Sequence, residues 1–219
     1  VQISLFPEPG WNIGDVERWC ADTGVRWIVG LDEAGRGPLA GPVYAAAVLL
    51  DTSDLEHEWI RDLNDSKKLS EVERERLYDA IRESGVEYHI ASRDHADVDE
   101  YNILRASLSA MEDALGGISQ TIDLVAVDGN QRIETTLRQR TLVKGDGRSL
   151  AIAAASILAK VSRDREMVLH DQHWPEYGFA KNKGYGSPSH LLAISEYGPC
   201  EIHRLTFGGV KEHANRLRS

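Results

Sequence analysis

Apolar residues in this chain come in short runs divided by Gly, Pro and Asp, and the runs alternate between strand and helix character. Arg26 to Leu31 is apolar and β-branched and ends in Asp32-Glu33, while Val43 to Leu50 is a second apolar run after Gly-Pro turns. Both suit buried strands, and their short connection suggests an antiparallel, hairpin-like pair. Ser70 followed by Glu73 is a capping-box pattern, and Val72, Leu77, Tyr78 and Ile81 then recur at helical spacing until Gly85. Val86 to Ser92 reads as a strand, and Ile103 to Leu115 as a helix ended by Gly116-Gly117. Ile122 to Val127 reads as a strand running into Asp128-Gly129, and Thr141 to Lys144 as a short strand stopped by Gly145-Asp146-Gly147. Leu150 to His170 is the longest helical pattern. Its Ala-rich first half predicts close packing on a sheet, and its second half puts Lys160, Arg163, Asp164 and Arg165 near the surface. After Pro175 the pattern turns loop-like. Interleaved strands and helices make the class α/β, with a mixed sheet.

Residues 1–25 have little periodicity and read as an arm, with a short helix around Asp15 to Cys20, ahead of one large domain over 26–219. At 42% hydrophobic and 27% charged, the 219 residues have an ordinary globular balance, which excludes a disordered or fibrous chain. No apolar run approaches the ~20 residues of a membrane span. Cys20 and Cys200 are the only cysteines and no basic stretch precedes an apolar one at the start, so neither a disulfide framework nor a secretory signal is expected. A soluble monomer in a reducing cytoplasm is the expectation. The net charge of −10 argues weakly against a nucleic-acid partner, but the charge is uneven. Residues 51–100 hold sixteen Asp/Glu against seven Lys/Arg, whereas residues 181–219 hold six Lys/Arg against three Asp/Glu. An acidic middle that reads as a solvated helical face, beside a basic end, leaves a phosphate backbone open as ligand.

The chemistry is suggested by where acids fall. Asp32-Glu33, Asp128 and Asp146 each follow an apolar strand, and strand ends are where open α/β sheets bind ligands. Any one of them alone can be a turn or cap residue, Asp146 above all in its Gly-Asp-Gly setting. Gathered together they would repel and call for cations. Hard carboxylate oxygens with no His or Cys at ligand spacing favour Mg²⁺ or Mn²⁺ over Zn²⁺, and two such ions ~4 Å apart serve in-line displacement at phosphorus. Beside the first pair, Gly35-Arg36-Gly37 offers bare backbone and a planar fork, either as a structural turn or as a phosphate contact.

An ordered set of blocks carries a resemblance. These are Asp32 to Val43 (DEAGRGPLAGPV), Asn64 to Ser70 (NDSKKLS), Val127-Asp128-Gly129-Asn130, Lys144-Gly145-Asp146, Ala154 to Asp164 (AASILAKVSRD), Tyr177-Gly178-Phe179 with Lys183-Gly184-Tyr185, and His203-Arg204 with Phe207. In this order, over about residues 26–210, they resemble bacterial ribonuclease HII. The resemblance implies a ribonuclease H-like fold: a five-stranded mixed sheet flanked by helices, with a helical and loop C-terminal extension. The related type with an extra N-terminal domain and Gly-Thr-Gly or Gly-Lys-Gly fits less well, since Arg36 stands here.

The resemblance further implies an endoribonuclease. It would hydrolyse the phosphodiester 5′ of a ribonucleotide in duplex DNA or in an RNA/DNA hybrid, leaving 3′-hydroxyl and 5′-phosphate ends. Asp32, Glu33, Asp128 and Asp146 would be the catalytic residues and would bind two ions, Mg²⁺ or Mn²⁺. Gly35, Arg36 and Gly37 would contact the 2′-hydroxyl, Tyr185 would pack on the sugar of the following deoxynucleotide, and Lys67 and Lys68 would contact phosphate. Asp164 would be either an acid supporting the site or an ion-paired surface residue, and Ser156 a packing residue. His190 and His203 could touch phosphate or belong to the core. Thr206 stands where the family usually has Ser, which keeps the hydroxyl. Outside the family pattern, Gln2-Ile3-Ser4-Leu5-Phe6 is similar to the short peptide that binds the bacterial sliding clamp, with an arm docked on its own domain as the alternative. A type 1 ribonuclease H, a DNA nuclease, or a binding module without activity remain the competing readings.

Overall fold

A computed structural model of the protein describes residues 10–63 and 69–216. Lys67, Lys68 and the Gln2–Phe6 segment lie outside the described residues. In chain order the elements are α1 (Asp15–Asp22), β1 (Trp27–Ala34), β2 (Val43–Asp51), α2 (Glu58–Arg61), α3 (Glu71–Glu83), β3 (Tyr88–Arg93), α4 (His95–Tyr101) and α5 (Ile103–Gly116). They continue with β4 (Leu124–Asp128), β5 (Gln139–Leu142), α6 (Leu150–His173), α7 (Phe179–Asn182) and α8 (Pro188–Tyr197). Short 3₁₀ turns cover Gly145–Gly147, Pro175–Tyr177 and Lys211–Arg216.

The five strands form one mixed sheet in the order β3-β2-β1-β4-β5. Thr52 N–H donates to Arg26 O at 2.8 Å, so the end of β2 lies beside the start of β1 and the pair is antiparallel, as the short connection predicts. Strands β1 and β4 are parallel with Leu31 opposite Val127, and β4 and β5 are parallel with Asp128 opposite Leu142. Strand β1 does not stop at Leu31 but runs through Asp32 and Glu33, because ladder hydrogen bonds are made by backbone whatever the side chain. The capping box at Ser70 and Glu73 is present and starts α3. Helix α8 interrupts the stretch that the pattern reads as loop. Its signal was there: Ser187 accepts from His190 N–H at the N-cap, and Pro188 follows where a missing N–H costs nothing.

By compactness the chain divides into two units. The first comprises Val1–Glu33, Ala45–Ala91 and Met111–Val161. Its core is the fully buried run of β2, the apolar residues of β1 and β4, Leu77 and Ile81 of α3, and Ala151 to Ala159 of α6. Helix α6 meets the sheet at Gly30, where an added Cβ would lie 2.1 Å from Ala151 C and 2.3 Å from Ile152 N. Bare backbone there lets strand and helix touch, which is the close packing that the Ala-rich half predicts. Glu17 of α1 is buried at the start of α6, accepting from Ser149 Oγ at 2.6 Å and Ala151 N–H at 3.1 Å. Burial holds its carboxyl above the usual range.

The second unit comprises Ala34–Tyr44, Ser92–Ala110 and Ser162–Ser219. Its larger core cluster gathers Met167, Tyr177, Phe179, Ile194, Cys200 and Val210. A smaller one joins Val43, Val98 and Ala106. Both cysteines are buried and unpaired, and no helix among the described residues is long and apolar enough to cross a membrane. Gly30→Ala is expected to destabilise the protein by at least ~3 kcal/mol, since backbone meets backbone and neither can yield; denaturant unfolding measures it.

Candidate active site

In the first unit, register brings the acids together. Strands β1 and β4 run level, so the residues after the Leu31 and Val127 pair are Asp32 and Asp128. Asp32 is 5% exposed. Burial first, then the Asp128 and Glu33 carboxylates, raise its carboxyl well above the ordinary value, while Ser156 on α6 and the Glu33 N–H, 2.7 Å from Oδ1, pull the other way by hydrogen bonding. Ser156 is thus more than a packing residue. Asp128 Oδ1 accepts from Gly145 N–H at 2.7 Å, which ties the end of β4 to the turn after β5. Lys144 takes a left-handed conformation to enter that turn, and a Cβ at Gly145 would crowd Ile152 Cδ1 at 2.6 Å. Asp146 follows directly and is 7% exposed.

Among the described residues, no group of three or more His, Cys, Asp or Glu is drawn close enough to hold a metal ion as it stands. Asp32 is acted on electrostatically by both Asp128 and Glu33, and the backbone N–H next to Asp146 is bonded to Asp128. What raises Asp32 is loss of water plus negative neighbours, a deficit that a cation relieves. The donor set is hard oxygen, which fits Mg²⁺ or Mn²⁺.

In the second unit, two arginines hold the loop that contains Gly35-Arg36-Gly37. Arg204 donates from Nη2 to Gly35 O at 2.7 Å, from Nη1 to Arg36 O at 3.2 Å and Pro38 O at 2.8 Å, and from Nε to Gly41 O at 3.0 Å. Arg163 donates to Pro42 O, Ala40 O and Lys183 O at 2.9, 3.1 and 2.9 Å. Both side chains are fully buried, so the pattern that put Arg163 near the surface is corrected. Helical periodicity reports a face, and this face of α6 is covered by the loop. Burial, and then Arg163 beside it, pulls the Arg204 guanidinium down to about 9. Gly35 has φ of +102°, and a Cβ there would lie 2.2 Å from Arg163 Nε.

Tyr185 is 47% exposed, and its ring edge would lie 3.5 Å from a Cβ at Gly37. Its carbonyl is 2.9 Å from His190 Nδ1, and His190 Nε2 is 3.0 Å from His203 Nε2. A carbonyl can only accept, so His190 donates from Nδ1 and accepts at Nε2, and His203 donates from Nε2 and accepts Cys200 N–H at Nδ1. Both rings are then neutral, and burial with His190 alongside holds His203 down to about 3. These histidines belong to the core and do not meet phosphate. Thr206 uses its hydroxyl on Asp99, which also accepts the Leu205 and Thr206 N–H groups.

The family signature of Ribonuclease HII matches residues 29–210. That match decides the family, and it is reinforced by a ribonuclease HII of Citrifermentans bemidjiense, 55% identical over 207 residues that cover 94% of this chain and 88% of that one. The chain belongs to the ribonuclease HII family. With the family comes the enzyme class, a ribonuclease H that acts as an endonuclease. Among solved structures, ribonuclease H2 from Pyrococcus horikoshii OT3 superposes with a TM-score of 0.73 at 24% identity, covering 87% of this chain and 98% of that one. Ribonuclease HII in its complex with PCNA from Archaeoglobus fulgidus gives 0.67 at 25% identity, covering 82% and 94%.

Asp32→Asn is expected to stabilise the protein in EDTA by about 1 kcal/mol, roughly 2–4 °C for a chain of this size, because it removes a buried like charge while keeping the shape. Thermal melting measures it, and an unchanged or lowered midpoint would contradict the repulsion.

Proposed function

We propose that this ribonuclease H hydrolyses the phosphodiester 5′ of a ribonucleotide set in duplex DNA or in an RNA/DNA hybrid, using two divalent ions held by Asp32, Glu33, Asp128 and Asp146. The observation that carries the reading is the buried Asp32 carboxyl raised by its own carboxylate neighbours, in a chain of the ribonuclease HII family. Such a site spends stability on gathering negative charge, and active sites are where that expense recurs. Bound Mg²⁺ or Mn²⁺ supplies activation of water and offsets charge on the phosphate and the leaving oxygen. The four carboxylates hold and space the ions, and the Asp128 bond from Gly145 N–H fixes its orientation.

In the reaction, water oxygen bonds to phosphorus as the bond to the 3′-oxygen breaks, and a proton ends on that oxygen. This leaves a 3′-hydroxyl and a 5′-phosphate. No protein nucleophile is needed, which accords with both cysteines being buried. Backbone groups of Gly35, Arg36 and Gly37 contact the 2′-hydroxyl, the group by which a protein tells RNA from DNA. Tyr185, half-exposed, packs on the sugar of the following deoxynucleotide. Lys67 and Lys68 contact phosphate.

A DNA duplex with one ribonucleotide tests this. The parent should cut it with Mg²⁺ or Mn²⁺, EDTA should stop it, and Asp128→Asn should lose at least ~10²-fold in rate. Tyr185→Ala should still cut but spread its cuts around the junction. Activity that survives EDTA or the Asp128 substitution overturns the assignment.

The Gln2–Phe6 segment supports a second contact, with a bacterial sliding clamp; the Archaeoglobus fulgidus relative was solved bound to PCNA. Capture of this chain by the clamp should weaken when Leu5 and Phe6 are both changed to Ala, and unchanged capture would exclude the contact.

A further inference from the structure

Arg163 touches two segments that are far apart in sequence. From one planar guanidinium, Nε and Nη2 hold Pro42 O and Ala40 O of the loop that follows Gly35-Arg36-Gly37, while Nη1 holds Lys183 O, two residues before Tyr185. A side chain at Gly35 would strike Nε, so the fork lies against bare backbone at the loop's first glycine as well. The second segment is bent to meet the first. Lys183 and Gly184 are both left-handed, at φ of 52° and 82°, and Gly184 O then accepts from Leu39 N–H at 2.8 Å. Arg204 makes an internal contrast, since its bonds reach Gly35, Arg36, Pro38 and Gly41 and none reaches 183–185.

We propose that Arg163 is a positioning residue that fixes the spacing between the Gly35–Gly37 turn and Tyr185, and so decides which phosphodiester near an RNA–DNA junction is cut. This rests on the functional reading above, in which the turn reads the ribose and Tyr185 reads the next sugar. The two readers select a junction only if their separation matches one nucleotide step. A rigid fork bonded to both sides sets such a separation, whereas a lysine ammonium, a point charge on a flexible stem, holds one side at a time. The cost of burying the guanidinium without a carboxylate bonded to it is met by three carbonyl dipoles, which leaves the loop carbonyls turned inward on it. Arg204 fixes the loop alone, so its loss loosens ribose reading without changing the spacing rule.

The test uses one duplex that carries several consecutive ribonucleotides in DNA, with cleavage at the junction and inside the RNA tract read from the same lane. Their ratio does not depend on the fraction of enzyme folded. For Arg163→Lys the junction-to-internal ratio is expected to fall about tenfold, within what a ~1 Å misplacement costs, through kcat at the junction rather than KM. Arg204→Lys should slow both cuts with the ratio kept. Gly184→Ala is the second variant. Its Cβ would meet Ala40 O at 2.6 Å, prising the same segments apart from the other side, and it should lower the ratio as Arg163→Lys does. If the ratio is unchanged in both Arg163→Lys and Gly184→Ala, the positioning role is wrong although the enzyme reading stands. If the parent itself cuts no ribonucleotide substrate, the enzyme reading falls and takes this proposal with it.

Discussion

A charge taken out of water must be met by something, and this chain buries charge in two different ways. Arg163 and Arg204 are met by neutral carbonyl oxygens, which satisfy their N–H groups without supplying a counter-ion. Asp32 is met by a hydroxyl and one backbone N–H, against two carboxylates that work the other way. The effective desolvation penalty is several kcal/mol per ion, so both arrangements are costly. They differ in what would relieve them. The guanidiniums have most of their donors bonded to carbonyls of the fold, whereas Asp32 keeps two carboxylates beside it that a cation would offset. That difference is why the acids are proposed as the chemistry and the arginines as scaffold.

Glycine makes both arrangements possible, through contact distance rather than flexibility alone. Gly30 lets α6 lie on β1 with backbone touching backbone, which carries Ser156 to Asp32. Gly35 lets Arg163 lie flat on the loop, and Gly145 lets its N–H reach the Asp128 carboxylate. In each case a methyl group would occupy space already filled. The glycines thus set the distances, and the charged groups exploit them.

The histidine pair illustrates how a polar group can be structural without being reactive. His190 and His203 pass a chain of hydrogen bonds from Cys200 N–H to the Tyr185 carbonyl, and burial lowers both rings below the ordinary histidine value, His203 to about 3. Tyr185 is therefore fixed at its backbone by a core element while its ring remains half-exposed. The segment that would meet a sugar is rigid at its root.

Much of this protein could be read along the chain. The alternation of apolar runs with Gly and Asp marked β1 to β4 and placed β5 two residues late, since the strand is Gln139–Leu142 and Lys144 already turns left-handed; the Ser70 and Glu73 capping box marked α3, and the Ala-rich half of α6 marked its packing on the sheet. The ordered blocks led to the family, because motif spacing is a property of the chain itself. What the sequence could not determine was which polar groups face inward. Arg163 sits among Lys160, Asp164 and Arg165 and looks like surface, yet it is fully buried, since burial depends on a loop more than 120 residues away folding over it. The same holds for Ser156 on Asp32 and for His190 on His203. Periodicity records what one element presents, and only tertiary packing decides what is laid against it.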